Sequence, residues 1–162
     1  MKKRANHSLT YNVPPLALWI GLTVLPLLFT FFFSSQDARV SGSLSLRLLN
    51  WLLSVFPALS ALNASFSLHV LLRKLAHFTL YFLLGCGLRG LSTYQKRFPA
   101  VPCAIVTGML CAALDEFHQN FSAGRAPSVF DVALDTWGVT VGCGLVSLSF
   151  FLVRKTSRGA SA

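Results

Sequence analysis

This chain predicts an all-α fold: an integral membrane bundle of four transmembrane helices plus an amphipathic helix lying in the interface. Three observations lead there. Hydrophobic residues make up 54% of the 162 residues and charged residues 12%, about half the roughly 25% charge of an ordinary soluble domain. Mean hydropathy is +0.61. The apolar residues are gathered into long runs separated by short polar or basic turns, as a bilayer requires. The length predicts one domain, 1–162.

The first span is residues 16–33, LALWIGLTVLPLLFTFFF, without a charge. Its length as a helix is about 27 Å, close to the roughly 30 Å hydrocarbon core. The run is long and no A-x-A-like site follows, so it reads as a retained span rather than a signal peptide. Pro26 can kink it, which neighbouring helices tolerate in lipid. Residues 35–43 are small and polar and read as a loop. Residues 44–56, LSLRLLNWLLSVF, place Arg47, Asn50 and Ser54 on one face and Leu, Trp and Phe on the other. That is the pattern of an interfacial helix, with Trp51 at headgroup depth. The remaining spans are 74–91, 98–119 and 129–153, followed by a basic tail. Asn63-Ala64-Ser65 has the form of a glycosylation sequon and carries no weight by itself.

Net charge is +9, but the basic residues lie at the ends of apolar runs, so no nucleic-acid partner is expected. Four spans put both termini on one side. If that side is the cytoplasm, it holds Lys2, Lys3, Arg4, Arg89, Lys96, Arg97, Arg154, Lys155 and Arg158, nine cations and no acid. The other side holds Arg39, Arg47, Arg73, Lys74 and Arg125, five cations, with all five acids. The positive-inside rule then places both termini in the cytoplasm, in a multi-pass protein of the cell membrane. Cys86, Cys103, Cys111 and Cys143 all sit in apolar segments with no C-x-x-C pair and read as small packing residues.

Four of the five acids fall within residues 114–135, LDEFHQNFSAGRAPSVFDVALD. Helical geometry groups them. Lys74, His77 and Tyr81 share a stripe of the second span. On the third span Asp115, His118 and Gln119 share a stripe, with Glu116 to one side. On the fourth, Asp131 and Asp135 are at i and i+4. Gly138 and Gly142 continue that stripe as G-x-x-x-G, a spacing that permits close helix approach. The two carboxylates therefore point into the bundle.

Ionisable residues at such depth are functional candidates. Glu116, Asp115, His77, Asp131 and Asp135 form the candidate acid–base set. Lys74, Tyr81, His118, Gln119 and Arg125 form the candidate substrate-binding set, with Arg125 and Lys74 clamping an anion. Arg73 is a further cationic partner. The structural alternative has Arg125 pair with Asp131 and Glu116 and merely pin the loop. His77, His118 and two carboxylates offer metal ligands, but no tight spacing such as H-E-x-x-H exists, so metal and cofactor stay unassigned. No G-x-S-x-G context supports a serine hydrolase.

Three motifs in order resemble the VanZ-like family of small membrane proteins. RKLAHFTLYFLLG, 73–85, is similar to its Arg-Lys-x-x-His-Phe-x-x-Tyr element. DEFHQNFSAGR, 115–125, is similar to its Asp-Glu-x-x-Gln-x-Phe-x-x-Gly-Arg element. SVFDVALDTWG, 128–138, is similar to its Asp-Val-x-x-(Asn/Asp)-x-x-Gly element. Many members carry Glu where this chain has Leu80. The resemblance implies a cell-envelope role and, for some members, glycopeptide (teicoplanin) resistance, without implying a reaction.

Three functions follow as expectations. The chain is an enzyme acting on an anionic envelope lipid, such as an undecaprenyl-linked cell-wall precursor, at an outward-facing site. Alternatively it is a non-catalytic module that binds membrane lipid or the glycopeptide itself. A small transporter is a third reading, disfavoured by the apolar inner halves of the helices and the absence of an inverted repeat. Oligomeric state is not readable.

Overall fold

The computed structural model describes residues 14–60, 67–95 and 99–159, without the side chains of 157–159. Lys2, Lys3, Arg4, Lys96, Arg97, the Arg158 side chain and the Asn63–Ser65 triplet lie outside the described residues. The helices are α1 (Leu16–Ser34), α2 (Ala38–Val55), α3 (Leu68–Leu91), α4 (Ala100–Gln119) and α5 (Val129–Gly159), with a 3-10 turn at Ser92–Tyr94. No strand occurs among the described residues. Four of the helices are long and apolar enough to cross a membrane. The expected architecture is therefore the observed one.

Successive spans run up and down. The last turn of α1 meets the turn just after α4, where Ser122 Oγ donates to Ser34 O at 2.9 Å. At the other end Tyr94 Oη donates to Pro14 O at 3.0 Å. The central helix is α3, packed by α5 on one side and α1 on the other. Glycine makes both approaches possible. A Cβ on Gly138 would lie 2.7 Å from Phe78 O. One on Gly87 would lie 2.7 Å from the Leu22 and Thr23 backbone. Tyr81, Leu84, Ala112, Val139 and Cys143 are buried together where α3, α4 and α5 meet. Trp19, Cys86, Val146 and Phe150 form a second core towards the other end. The outward faces of α1, α4 and α5 carry exposed Leu, Val and Phe, which a bilayer solvates.

Three boundaries differ from expectation. Helix α2 starts at Ala38, so most of the expected loop 35–43 is helical. The small polar residues read as a turn, but they satisfy themselves within the helix: Ser43 Oγ donates to Val40 O and Ser45 Oγ to Ser41 O. Helix α3 starts at Leu68 rather than 74, and α5 runs to Gly159 rather than 153. Hydropathy marks where lipid ends, whereas backbone hydrogen bonding carries a helix on into water. Around α2, Ser41 and Leu49 are buried against the bundle, while Val40, Leu44, Leu48, Trp51 and Val55 form one exposed stripe and Arg47, Asn50 and Ser54 another. A helix with one packed, one apolar and one polar face suits the membrane interface.

Candidate functional site

The close α3–α5 approach fixes the first half of the site. Gly138 and Gly142 press their stripe of α5 onto α3, so Asp131 and Asp135, above them on the same face, meet α3 one turn apart. Lys74 Nζ pairs with Asp131 Oδ1. One turn deeper, His77 Nδ1 lies 3.5 Å from Asp135 Oδ2. That is ion-pair range without a hydrogen bond: both Asp135 oxygens lack a hydrogen-bond partner, and the side chain is 0% exposed. Tyr81, one further turn in, is also buried with its hydroxyl unpartnered.

The second half comes from α4. Asp115, Glu116 and Gln119 are buried. Gln119 Nε2 donates to Asp115 Oδ2 and to Glu116 Oε1, both at 3.1 Å. The other Glu116 oxygen accepts the Ser128 backbone N–H at 2.8 Å. Asp115 Oδ2 also lies 3.9 Å from His77 Nδ1. His118 turns away from this group. Its ring stacks on Phe31 at 4.5 Å between centroids, and its Nε2 is 3.2 Å from Ser35 Oγ. The α4 stripe that faces the bundle thus contains Glu116 in place of His118, because the interhelical packing rotates it by part of a turn relative to the simplest reading. A metal set built on both His77 and His118 does not form.

Arg125 stands in the loop rather than in the cleft. Its Nη2 donates to Phe33 O at 2.9 Å, closing the C-terminal end of α1, and its Nε has no partner. Burial, with Arg73 nearby, pulls the Arg125 pKa below its ordinary value. It pairs with neither Asp131 nor Glu116, whose oxygens are taken by Lys74 and by Ser128 and Gln119. Loss of this single neutral-carbonyl contact is expected to cost about 1–2 kcal/mol. Arg125→Ala should therefore raise amide hydrogen exchange across 120–128 while leaving the unfolding midpoint of the bundle within a few degrees.

Two clefts open on the site. The first is narrow and lined by Arg73, Lys74, His77, Glu116, Asp131 and Asp135 among others. Arg73 joins the site at this mouth, and its place beside Lys74 is the signal for it in the sequence. The second is an apolar cleft of about 470 Å³ between α1 and α4, walled by Leu27, Leu28, Phe31 and Leu114. Its polar floor is Tyr81, Asp115 and His118. His77, Asp115 and Asp135 stand between the two clefts, each offering one ligand atom within 4.8 Å of the others.

The motifs that build this site fall within a family match: the VanZ/LLP1 model covers residues 16–152. The chain belongs to the VanZ/LLP1 family. It is a VanZ-like protein of the cell envelope and, with four spanning helices, a multi-pass membrane protein. No curated protein and no solved structure matches the chain. The VanZ-like departure at Leu80 is set apart from the carboxylates. Leu80 lines a different apolar cleft, against Leu18, Leu22 and Leu25 of α1.

Proposed function

We propose that this protein holds the anionic headgroup of an envelope lipid at the outer ends of its helices, with an undecaprenyl-linked cell-wall precursor as the substrate class. The observation that carries the reading is that a polar cleft and an apolar cleft flank one group, His77, Asp115 and Asp135. Arg73 and Lys74 line a polar mouth, and an apolar cleft between α1 and α4 ends on Tyr81, Asp115 and His118. A ligand with a charged head and a hydrocarbon tail matches that division. The cation count supports cytoplasmic termini and an outward-facing site. Glu116 and Asp115 are the acid–base candidates, joined through Gln119, and Glu116 lines the same cleft as Arg73 and Lys74. Sequestering or modifying a precursor there would in turn alter glycopeptide susceptibility.

The test uses purified protein in nanodiscs with a labelled undecaprenyl-linked precursor, separating new product from bound, unchanged lipid. Saturable binding is expected, weakened about tenfold or more by Arg73→Gln at the mouth and by Leu114→Trp in the apolar cleft. A product from wild type adds catalysis to binding. Absence of saturable binding, or two variants that bind like wild type, sinks the reading.

A further inference from the structure

Asp115 and Asp135 approach one another deep between α3, α4 and α5, and the charge there does not balance. Asp135 is 0% exposed and Asp115 7% exposed. The nearby lysine, Lys74, is occupied by Asp131. His77 is the one basic side chain within ion-pair reach of both carboxylates among the described residues, at 3.5 and 3.9 Å. A buried carboxylate without hydrogen bonds is costly, and two sharing one imidazole more so. Neither Asp135 oxygen has a hydrogen-bond partner, and the nearest base, His77 Nδ1, stands 3.5 Å from Oδ2, leaving acceptor capacity that a cation would satisfy.

We propose that His77, Asp115 and Asp135 bind a divalent transition-metal ion of the manganese or zinc class. The ligand atoms are the His77 Nδ1 nitrogen and one oxygen from each aspartate, all within 4.8 Å of one another. Ligand atoms about 2.0–2.2 Å from a common ion in a tetrahedral arrangement lie about 3.3–3.6 Å apart. The 3.5 and 3.9 Å separations at His77 lie close to that range, and side-chain rotation must also draw together the two aspartate oxygens, which are within 4.8 Å of each other. Gln119 supports the set from behind by donating to Asp115 Oδ2, the outer-sphere contact that holds a ligating carboxylate in place. The narrow polar cleft, lined by His77 and Asp135 themselves, is the side from which the ion would enter. One imidazole with two carboxylates selects against a purely oxygen-ligated calcium or magnesium site, and the absence of thiolate selects against copper(I).

This inference stands apart from the lipid reading, because its test needs no lipid ligand. Protein stripped with chelator and held in phosphatidylcholine nanodiscs is titrated with Mn²⁺ and followed by electron paramagnetic resonance. Stoichiometric uptake of one ion per chain is expected, displaced by Zn²⁺, with electron-spin-echo modulation from a directly bound imidazole nitrogen. Asp135→Asn should weaken uptake by more than about 100-fold, since even outer-sphere losses cost roughly 10–100-fold. His77→Gln should remove the nitrogen modulation, and Asp37→Asn, in the α1–α2 turn, should change nothing. Circular dichroism establishes that each variant is folded. Should Asp135→Asn fail to fold, the nitrogen signal of the wild type and its loss in His77→Gln decide the matter. No uptake by wild type, uptake without nitrogen modulation, or full-strength binding by folded Asp135→Asn overturns the proposal.

Discussion

Gly142→Leu is expected to destroy the bundle, and Gly144→Leu, two residues along the same helix, to leave it standing. The two glycines share a helix and a membrane depth but not a face. A Cβ at Gly142 meets the Phe82 carbonyl oxygen and comes within 2.9 Å of Cys86 N and 3.1 Å of Phe82 C, all backbone atoms of α3. A Cβ at Gly144 meets nothing within 4 Å. Overpacking typically costs about 1–3 kcal/mol where side chains can yield. Backbone cannot rotate aside, so Gly142→Leu should exceed that range. The consequence reaches the site, because this contact holds Asp131 against Lys74 and Asp135 against His77. Unfolding in mixed micelles against a denaturing detergent should show Gly142→Leu unfolded from the outset or shifted far below wild type. Gly144→Leu should stay close to wild type. Equal stability of the two variants would mean that α5 does not pack on α3 through this stripe.

The same contact explains why part of the site is legible in the amino-acid sequence. Asp131, Asp135, Gly138 and Gly142 lie on one helical stripe, and the glycines identify that stripe as the packed one. The direction of the α5 carboxylates therefore follows from sequence. No such marker exists on α4. Its stripe through Asp115 and Gln119 passes between Glu116 and His118, and only the packing against α3 and α5 selects Glu116. Spacing places residues on a helix but leaves its rotation open, since rotation is set by neighbours. For the same reason Arg125, which has acids on both sides in sequence, serves the Phe33 carbonyl instead. Helix ends follow the same division: the apolar runs locate the spans, while α3 begins six residues before its run does.

The buried network also changes what a conservative substitution at Glu116 does. A carboxylate accepts on both oxygens, and here both are used: Oε2 takes the Ser128 N–H, and Oε1 takes Gln119 Nε2. Glutamine presents one acceptor and one donor. In either orientation its NH₂ faces another donor, and rotating the Gln119 amide in response sets its oxygen against Asp115 Oδ2. Glu116→Gln is thus expected to destabilise the junction of α4 with the start of α5 by about 1–3 kcal/mol, the cost of leaving one buried polar group unmatched. Exchange at the Ser128 amide should rise in step. If Glu116 is the general base of a reaction on the bound lipid, product formation should fall by a further factor of about 10²–10⁴. That loss should persist well below the variant's unfolding midpoint, where the population of folded protein is no longer in question. A folded Glu116→Gln that turns over like wild type removes the base assignment, and a rise in Ser128 exchange without loss of product leaves Glu116 as the clasp between two helices.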